Sequence, residues 1–333
     1  MGSQLSPNPN PWSSSATLVT QHGDYNATFF KNLGFITNQS DFVFTNRAGG
    51  VFDNDQELKN YGSFENNDGA TLNNWGNIYT FANLFNAAGG VYNNNSAGIL
   101  DNSGFVQNNG TMNINSGEMY NAQGAALLNK GALLIKHGKL YNGVLCECDP
   151  SQKNGTLINN GSIQISERGS LVNEKNGLIK GAGTIQGDVS NFGVINAGTS
   201  AGGHLIDGTL YHQQSGIIRI ELGGSSDANR DRSKTEYDFI DVTEDLVING
   251  GRLGVSLIDN FELRQNQEFI ITKLGGELTG HYDGLKQGDS VGRFESVHGF
   301  KLDLHISYVA GDGNDISLYT VPLTNPDMIF GYT

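Results

Sequence analysis

The sequence predicts an all-β chain wound as a right-handed parallel β-helix, a β-solenoid of triangular coils about twenty residues long. Three observations predict it. Columns of like residues recur at a fixed spacing, apolar residues alternate over runs of only three to five positions, and Asn and Gly stand where each run ends. Glycine is abundant, at 46 of 333 residues, and proline is rare, at 6. No stretch shows the 3.6-residue apolar spacing that an amphipathic helix requires.

In chain order, residues 1–28 read as an N-terminal cap or extended lead-in. The opening MGSQLSPNPNPWSSS has no apolar core and is not a signal peptide, so the mature chain is expected to be trimmed from a longer precursor. The repeat then occupies 29–200. FTNRAGGVFDN starts at Phe44, FENNDGATLNN at Phe64 and LFNAAGGVYNN at Leu84. Asn46, Asn66 and Asn86 form one column, Gly49, Gly69 and Gly89 another, and Phe52, Leu72 and Tyr92 a third. Later copies drift by a residue but keep the template, as in VQNNGTMNINSGEMYN from Val106 and LLNKGALLIKHGKLYN from Leu127.

Apolar-x-apolar alternation is a short strand with one face inward. Asn and Gly supply the tight or left-handed backbone that turns a corner. Three strands and three corners close one coil, and Asn at equivalent corners is expected to form a side-chain amide ladder. About eight coils fit between 29 and 200, a rod of roughly 38 Å at ~4.8 Å per coil. An insertion loop at 143–155, GVLCECDPSQKNG, interrupts the repeat and carries Cys146 and Cys148. Their separation is too short for an easy mutual disulfide, which leaves two loop thiols or an intermolecular bond. Residues 201–321 carry longer strands rich in Val, Ile, Phe and Tyr, read as a C-terminal β-helical and capping region that covers an otherwise open edge. Residues 322–333 are a tail.

This C-terminal half resembles the end of the passenger domain of type V autotransporters and related large bacterial surface adhesins. The resemblance runs over 155–321. It rests on the NxG repeats, then NAGTSAGG (196–203), IELGG (220–224), YDFI (237–240), GGRL (250–253) and SYVAGDGNDISL (307–318). The family's turn at the first of these carries two prolines that are absent here. The resemblance implies a secreted, cell-surface stalk whose C-terminal coils nucleate folding, with the family's membrane β-barrel translocator outside this chain.

The formal net charge of −14 opposes sequence-independent nucleic-acid binding. No run of about 18 apolar residues is present to cross a bilayer as a helix. Gly198-Thr199-Ser200-Ala201-Gly202 matches the hydrolase nucleophile elbow in letters, but strands and glycines surround it where a helix should follow. GDGNDISL is close to one calcium-binding nonapeptide unit, which makes Asp312 and Asp315 the candidate Ca²⁺ ligands, against a plain Gly-Asp-Gly hairpin. Asp238, Asp241, Glu244 and Asp245 cluster in YDFIDVTEDL, where a polysaccharide-active enzyme would place an acid/base pair. Trp75, Tyr92 and Tyr141 are the candidate sugar-stacking residues. The functional expectation is a non-catalytic adhesin-type solenoid whose partner is a glycan or cell-surface receptor, with no cofactor beyond that Ca²⁺. Self-association into a filament or surface layer is the first alternative, and a polysaccharide-active or phage-tailspike module the second.

Overall fold

The structure, a computed structural model, describes residues 17–19, 25–26, 29–144, 154–166, 168–198, 200–295 and 301–321. They form a right-handed parallel β-helix of three long sheets. Sheet I has 12 strands, among them Phe35–Asn38, Glu57–Asn60 and Asn77–Thr80; sheet II has 11, among them Val43–Asn46, Ser63–Asn66 and Asn83–Asn86; sheet III has 10, among them Phe29–Asn32, Val51–Asn54 and Thr71–Asn74. The chain visits the three in turn, and each strand pairs in parallel with its counterpart one coil away.

Nearly every repeat strand is four residues long, with its second and fourth side chains inward. The second position builds three apolar columns. Ile36, Leu58, Ile78, Leu100, Met119 and Leu140 line sheet I; Phe44, Phe64, Leu84, Val106, Leu127 and Leu157 line sheet II. On sheet III the column runs Phe30, Phe52, Leu72, Tyr92, Met112 and Leu133, and its first two rings stack at 5.2 Å. All are buried, so the core is a continuous apolar rod that each coil extends.

The fourth position is asparagine in most repeat strands, with Thr80, Ile114 and Ile135 among the exceptions, and it is buried as completely as the core. On sheet II the amide of Asn46 donates to Asn66 Oδ1, Asn66 to Asn86, Asn86 to Asn108, Asn108 to Asn129 and Asn129 to Asn159, all at 2.8–2.9 Å. Sheet III carries Asn32–Asn54–Asn74–Asn94, and sheet I carries Asn102–Asn121–Asn142–Asn173–Asn191. Each amide's second hydrogen goes to a backbone carbonyl beyond the corner of the next coil, as from Asn66 to Val91 O at 2.9 Å. The ladder thereby ties each corner to the first residue of the strand beyond it in the next coil, and leaves its own buried amides satisfied. Gly49, Gly69 and Gly89 turn one such corner at φ 77°, 70° and 78°, backbone that an L side chain rarely adopts.

Stacking continues past 200, the boundary drawn from the sequence, to Leu278–His281 in sheet I. What changes there is coil length. An excursion at 223–238 doubles back beside Leu222 and is pinned by two arginines. Arg230 pairs with Asp241 and lies over the Phe239 ring at 3.7 Å, while Arg232 Nη1 donates to Gly183 O at 2.9 Å and Thr184 Oγ1 at 3.0 Å. A four-stranded antiparallel sheet (Glu268–Thr272, Asp315–Thr320, Lys301–Ala310, Ser290–Glu295) closes the C-terminal end and joins its apolar side chains to the same core. Of the lead-in, only Thr17–Val19 and Tyr25–Asn26 are described, as strands continuing sheets I and II. Residues 145–153 of the insertion, with both cysteines, and the tail lie outside the described residues.

The sheet I ladder ends on a histidine. Asn191 Oδ1 accepts from Asn173, so its amide hydrogens face His212 Nδ1 at 3.0 Å, and that nitrogen must accept. His212 is therefore the neutral Nε2–H tautomer, fully buried, packed edge-on against Tyr282, and with Nε2 unpartnered among the described residues. Burial lowers its pKa from 6.5 to about 4, against the attraction of Asp283.

Two expectations follow. Replacing Asn86 by Ala takes the side-chain acceptor from Asn66 and the donor from Asn108 Oδ1, and should cost about 2–3 kcal/mol in urea unfolding. Asn86→Thr should cost less, because Thr80 already holds a ladder position and accepts from Asn60 at 3.0 Å. For His212 the folded pKa lies below the unfolded one, so its contribution is complete above pH 6.5 and is lost as pH falls toward 4. His212→Asn continues the ladder without a titrating group. The stability of wild type relative to that variant should therefore drop by about 2–3 kcal/mol between pH 7 and pH 4. A difference that stays flat with pH would contradict a buried neutral imidazole. Asp238 and His204 titrate in both proteins and cancel.

Candidate binding face

The acidic strand is structural. Asp238 is fully buried and its two oxygens accept from Gly202 N at 2.8 Å and Glu221 N at 3.0 Å. Burial pushes its carboxyl up to about 8, against those two backbone hydrogen bonds. Asp241 is held by Arg230 and also accepts from Lys273 N at 3.0 Å. Asp245 accepts from Glu277 N at 2.8 Å, and Glu244 from the Thr209 hydroxyl at 3.4 Å. Both members of the acid/base pair that an enzyme would need are thus tied to neighbouring coils. Ser200 sits in an exposed bend between the strands Val194–Ala197 and Gly203–Asp207, so the strand-to-helix geometry of a nucleophile elbow is not formed.

Asp312 and Asp315 do share a cavity with Asp241, of about 610 Å³. Asp312 is exposed at the tip of the hairpin joining Lys301–Ala310 to Asp315–Thr320, where Gly311 and Gly313 have positive φ. Asp315 is turned inward and accepts from Leu274 N at 2.9 Å. One oxygen of its carboxylate thereby anchors the hairpin to the last coil. Among the described residues no three His, Cys, Asp or Glu side chains converge as a metal site would need.

The three candidate stacking residues separate. Trp75, 41% exposed, occupies the corner between sheets III and I. Tyr92 is 0% exposed, because it stands at the inward second position of Val91–Asn94, in register with Leu72 and Met112. It cannot meet a ligand, and its assignment as a binding residue is corrected. Tyr141 points outward from sheet I and stacks on Tyr120, centroids 5.3 Å apart and planes 7° from parallel. The Tyr120 hydroxyl donates to the Glu118 carboxylate, which pushes the phenol up to about 12. The two rings, with Gly143, Val144, Glu174, Lys175 and Asn176, line a cavity of about 410 Å³ at the base of the insertion.

A second stack, missed in the sequence, stands on the corner between sheets I and II. Tyr61 and Phe81, each 43% exposed, lie 4.8 Å apart and 8° from parallel. Both follow the ladder residue of their strand, and that shared phase was the signal available. The outward columns of sheet III hold no aromatic residue from Val51 to Asp207; they present Asp53, Asn73, Asn93 and Asn113, joined in an external amide row.

No family model matches the chain, and no curated protein does. Among solved structures, the crystal structure of a TibC-catalysed hyper-glycosylated TibA fragment aligns over 73% of this chain and 93% of that fragment, at 12% identity and a TM-score of 0.28. A likeness that loose carries no argument about what this chain does.

Among the described residues the Tyr92 hydroxyl has no partner in hydrogen-bond geometry, and the Asn74 amide beside it spends both hydrogens on Asn94 and Ile99 O. Tyr92→Phe removes an unsatisfied polar group from the core, and should raise the urea midpoint by the equivalent of about 1 kcal/mol. A loss of stability instead would reveal a partner for that oxygen.

Proposed function

We propose that the chain is the rod of a secreted, surface-displayed adhesin of the autotransporter-passenger kind, binding glycans without cleaving them. The observation that carries this reading is the uneven distribution of aromatic rings. Two near-coplanar stacks and Tyr79 stand outward on sheet I and its corner with sheet II, and Phe85 and Phe105 meet edge to face on sheet II. Past Phe29, the outward positions of sheet III instead present a carboxylate and amides at Asp53, Asn73, Asn93 and Asn113. Stacked rings at the surface add nothing to the core of a monomer, whereas sugars are held by aromatic faces beside polar groups. The order of motifs from 155 to 321 supports the passenger reading, and the commitment of Asp238 and Asp241 to backbone and arginine supports binding over hydrolysis. The closed C-terminal end weighs against end-to-end growth into filaments.

The test is incubation of the full chain with immobilised polysaccharides, scoring retention and new reducing or unsaturated ends together. Retention without new ends is expected. Cleavage would overturn the non-catalytic reading, and a chain retained by no glycan would overturn the binding one.

A further inference from the structure

On a parallel sheet each outward column repeats every coil, so side chains stand over one another at the strand spacing. The column containing Tyr141 reads Asp101, Tyr120, Tyr141, Val172, Ser190 in successive coils. Because the two tyrosines stack face to face, their planes lie across the rod axis and each covers one face of the other. The second face of Tyr141 looks toward the next coil, where the column holds valine, too short to cover a ring. The stack is cut off one ring early.

Glu174, Lys175 and Asn176 follow directly on the strand that carries Val172, and with Tyr120, Tyr141, Gly143 and Val144 they line the 410 Å³ cavity beside the stack. Lys175 is exposed, with Glu174 and Asn176 half-buried. On the far side of the stack Tyr120 is fixed by Glu118. The Tyr141 hydroxyl makes no hydrogen bond among the described residues. A flat apolar face with an acceptor, a cation and an amide at its edge matches a pyranose ring, which offers C–H groups on one face and hydroxyls around its rim. A nucleobase would also stack. Its phosphates would meet Glu118 and Glu174 on a chain of net charge −14, which disfavours that ligand.

Resting on the glycan-binding reading above, we infer that the cavity beside Tyr141, at the coil where the column changes to Val172, is a subsite for one pyranose of a neutral or amino-bearing glycan. The sugar stacks on the free face of Tyr141 as the next member of the column. Glu174 and Asn176 bond its hydroxyls, and the volume admits one or two sugar rings.

The test titrates the full chain with neutral and amino disaccharides (cellobiose, maltose, chitobiose and its deacetylated form) by calorimetry, alongside retention on the parent polysaccharides. Three variants decide it. Tyr141→Ala should weaken binding about tenfold or more, the loss of one stacking face. Tyr141→Phe keeps that face and should stay within about threefold. Val172→Tyr extends the stack with the protein's own ring, fills the gap and should abolish binding while leaving thermal unfolding at or above wild type. The last variant separates ligand exclusion from misfolding. Glycan retention that persists unchanged in Val172→Tyr and Tyr141→Ala would overturn this subsite and leave the glycan-binding reading standing. Retention of no glycan by wild type would overturn both.

Discussion

Everything in this molecule depends on the buried asparagine amide at the end of each strand. A triangular coil must turn sharply three times, and the side chain at each turn faces inward between the same corner of the coils before and after. An apolar residue there would break the chain of amide bonds and leave the neighbouring amide groups unsatisfied at about 1–3 kcal/mol apiece. Asparagine is short enough to stay within the corner and carries both an acceptor and two donors. It can take a hydrogen bond from the coil before, give one to the coil after and still serve a carbonyl, as Asn66 does with Asn46, Asn86 and Val91. A serine has too few donors for all three tasks, and an aspartate has none.

That interaction also fixes the register, and register organises the surface. Since an inward ladder tolerates no slip, the outward columns are equally exact in their repetition. A tyrosine recurring in EMYN and KLYN therefore has to stack on its copy, and the amides of Asn73, Asn93 and Asn113 have to join the Asp53 carboxylate in a row. The exterior of a solenoid is a set of parallel lanes written one residue per coil. One such lane changes character between Tyr141 and Val172, and the proposed subsite lies at that change.

For the same reason the fold was legible in the sequence, and much of the surface was too. The Asn and Gly columns at 46, 66, 86 and 49, 69, 89 are the ladder and the left-handed corner themselves. Tyr92 already shared a column with Phe52 and Leu72, so its burial could have been read from phase alone, without weighing its chemistry. Tyr120 and Tyr61 were missed because single aromatics look unremarkable until the copy one coil away is set beside them. The carboxylates past 200 were illegible for a different reason. Whether Asp238 faces a cleft or clamps Gly202 and Glu221 depends on where the excursion at 223–238 folds back, and no period governs that.

The acidic C-terminal half answers the question that the ladder leaves open, namely how coils of unequal length are held together. A carboxylate only accepts, so it cannot pass a hydrogen bond along a column, and it also needs no partner in the coil beyond. Asp188 accepts from Thr209 N, Asp241 from Lys273 N, Asp245 from Glu277 N and Asp283 from Gly251 N, joining residues separated by 21 to 32 positions. Asparagine suits an even repeat because it propagates; aspartate suits an uneven one because each bond stands alone. Part of the chain's negative charge is therefore structural cement. The exchange of amide for carboxylate near residue 190 marks the passage from regular stalk to closing cap, with His212 at the joint.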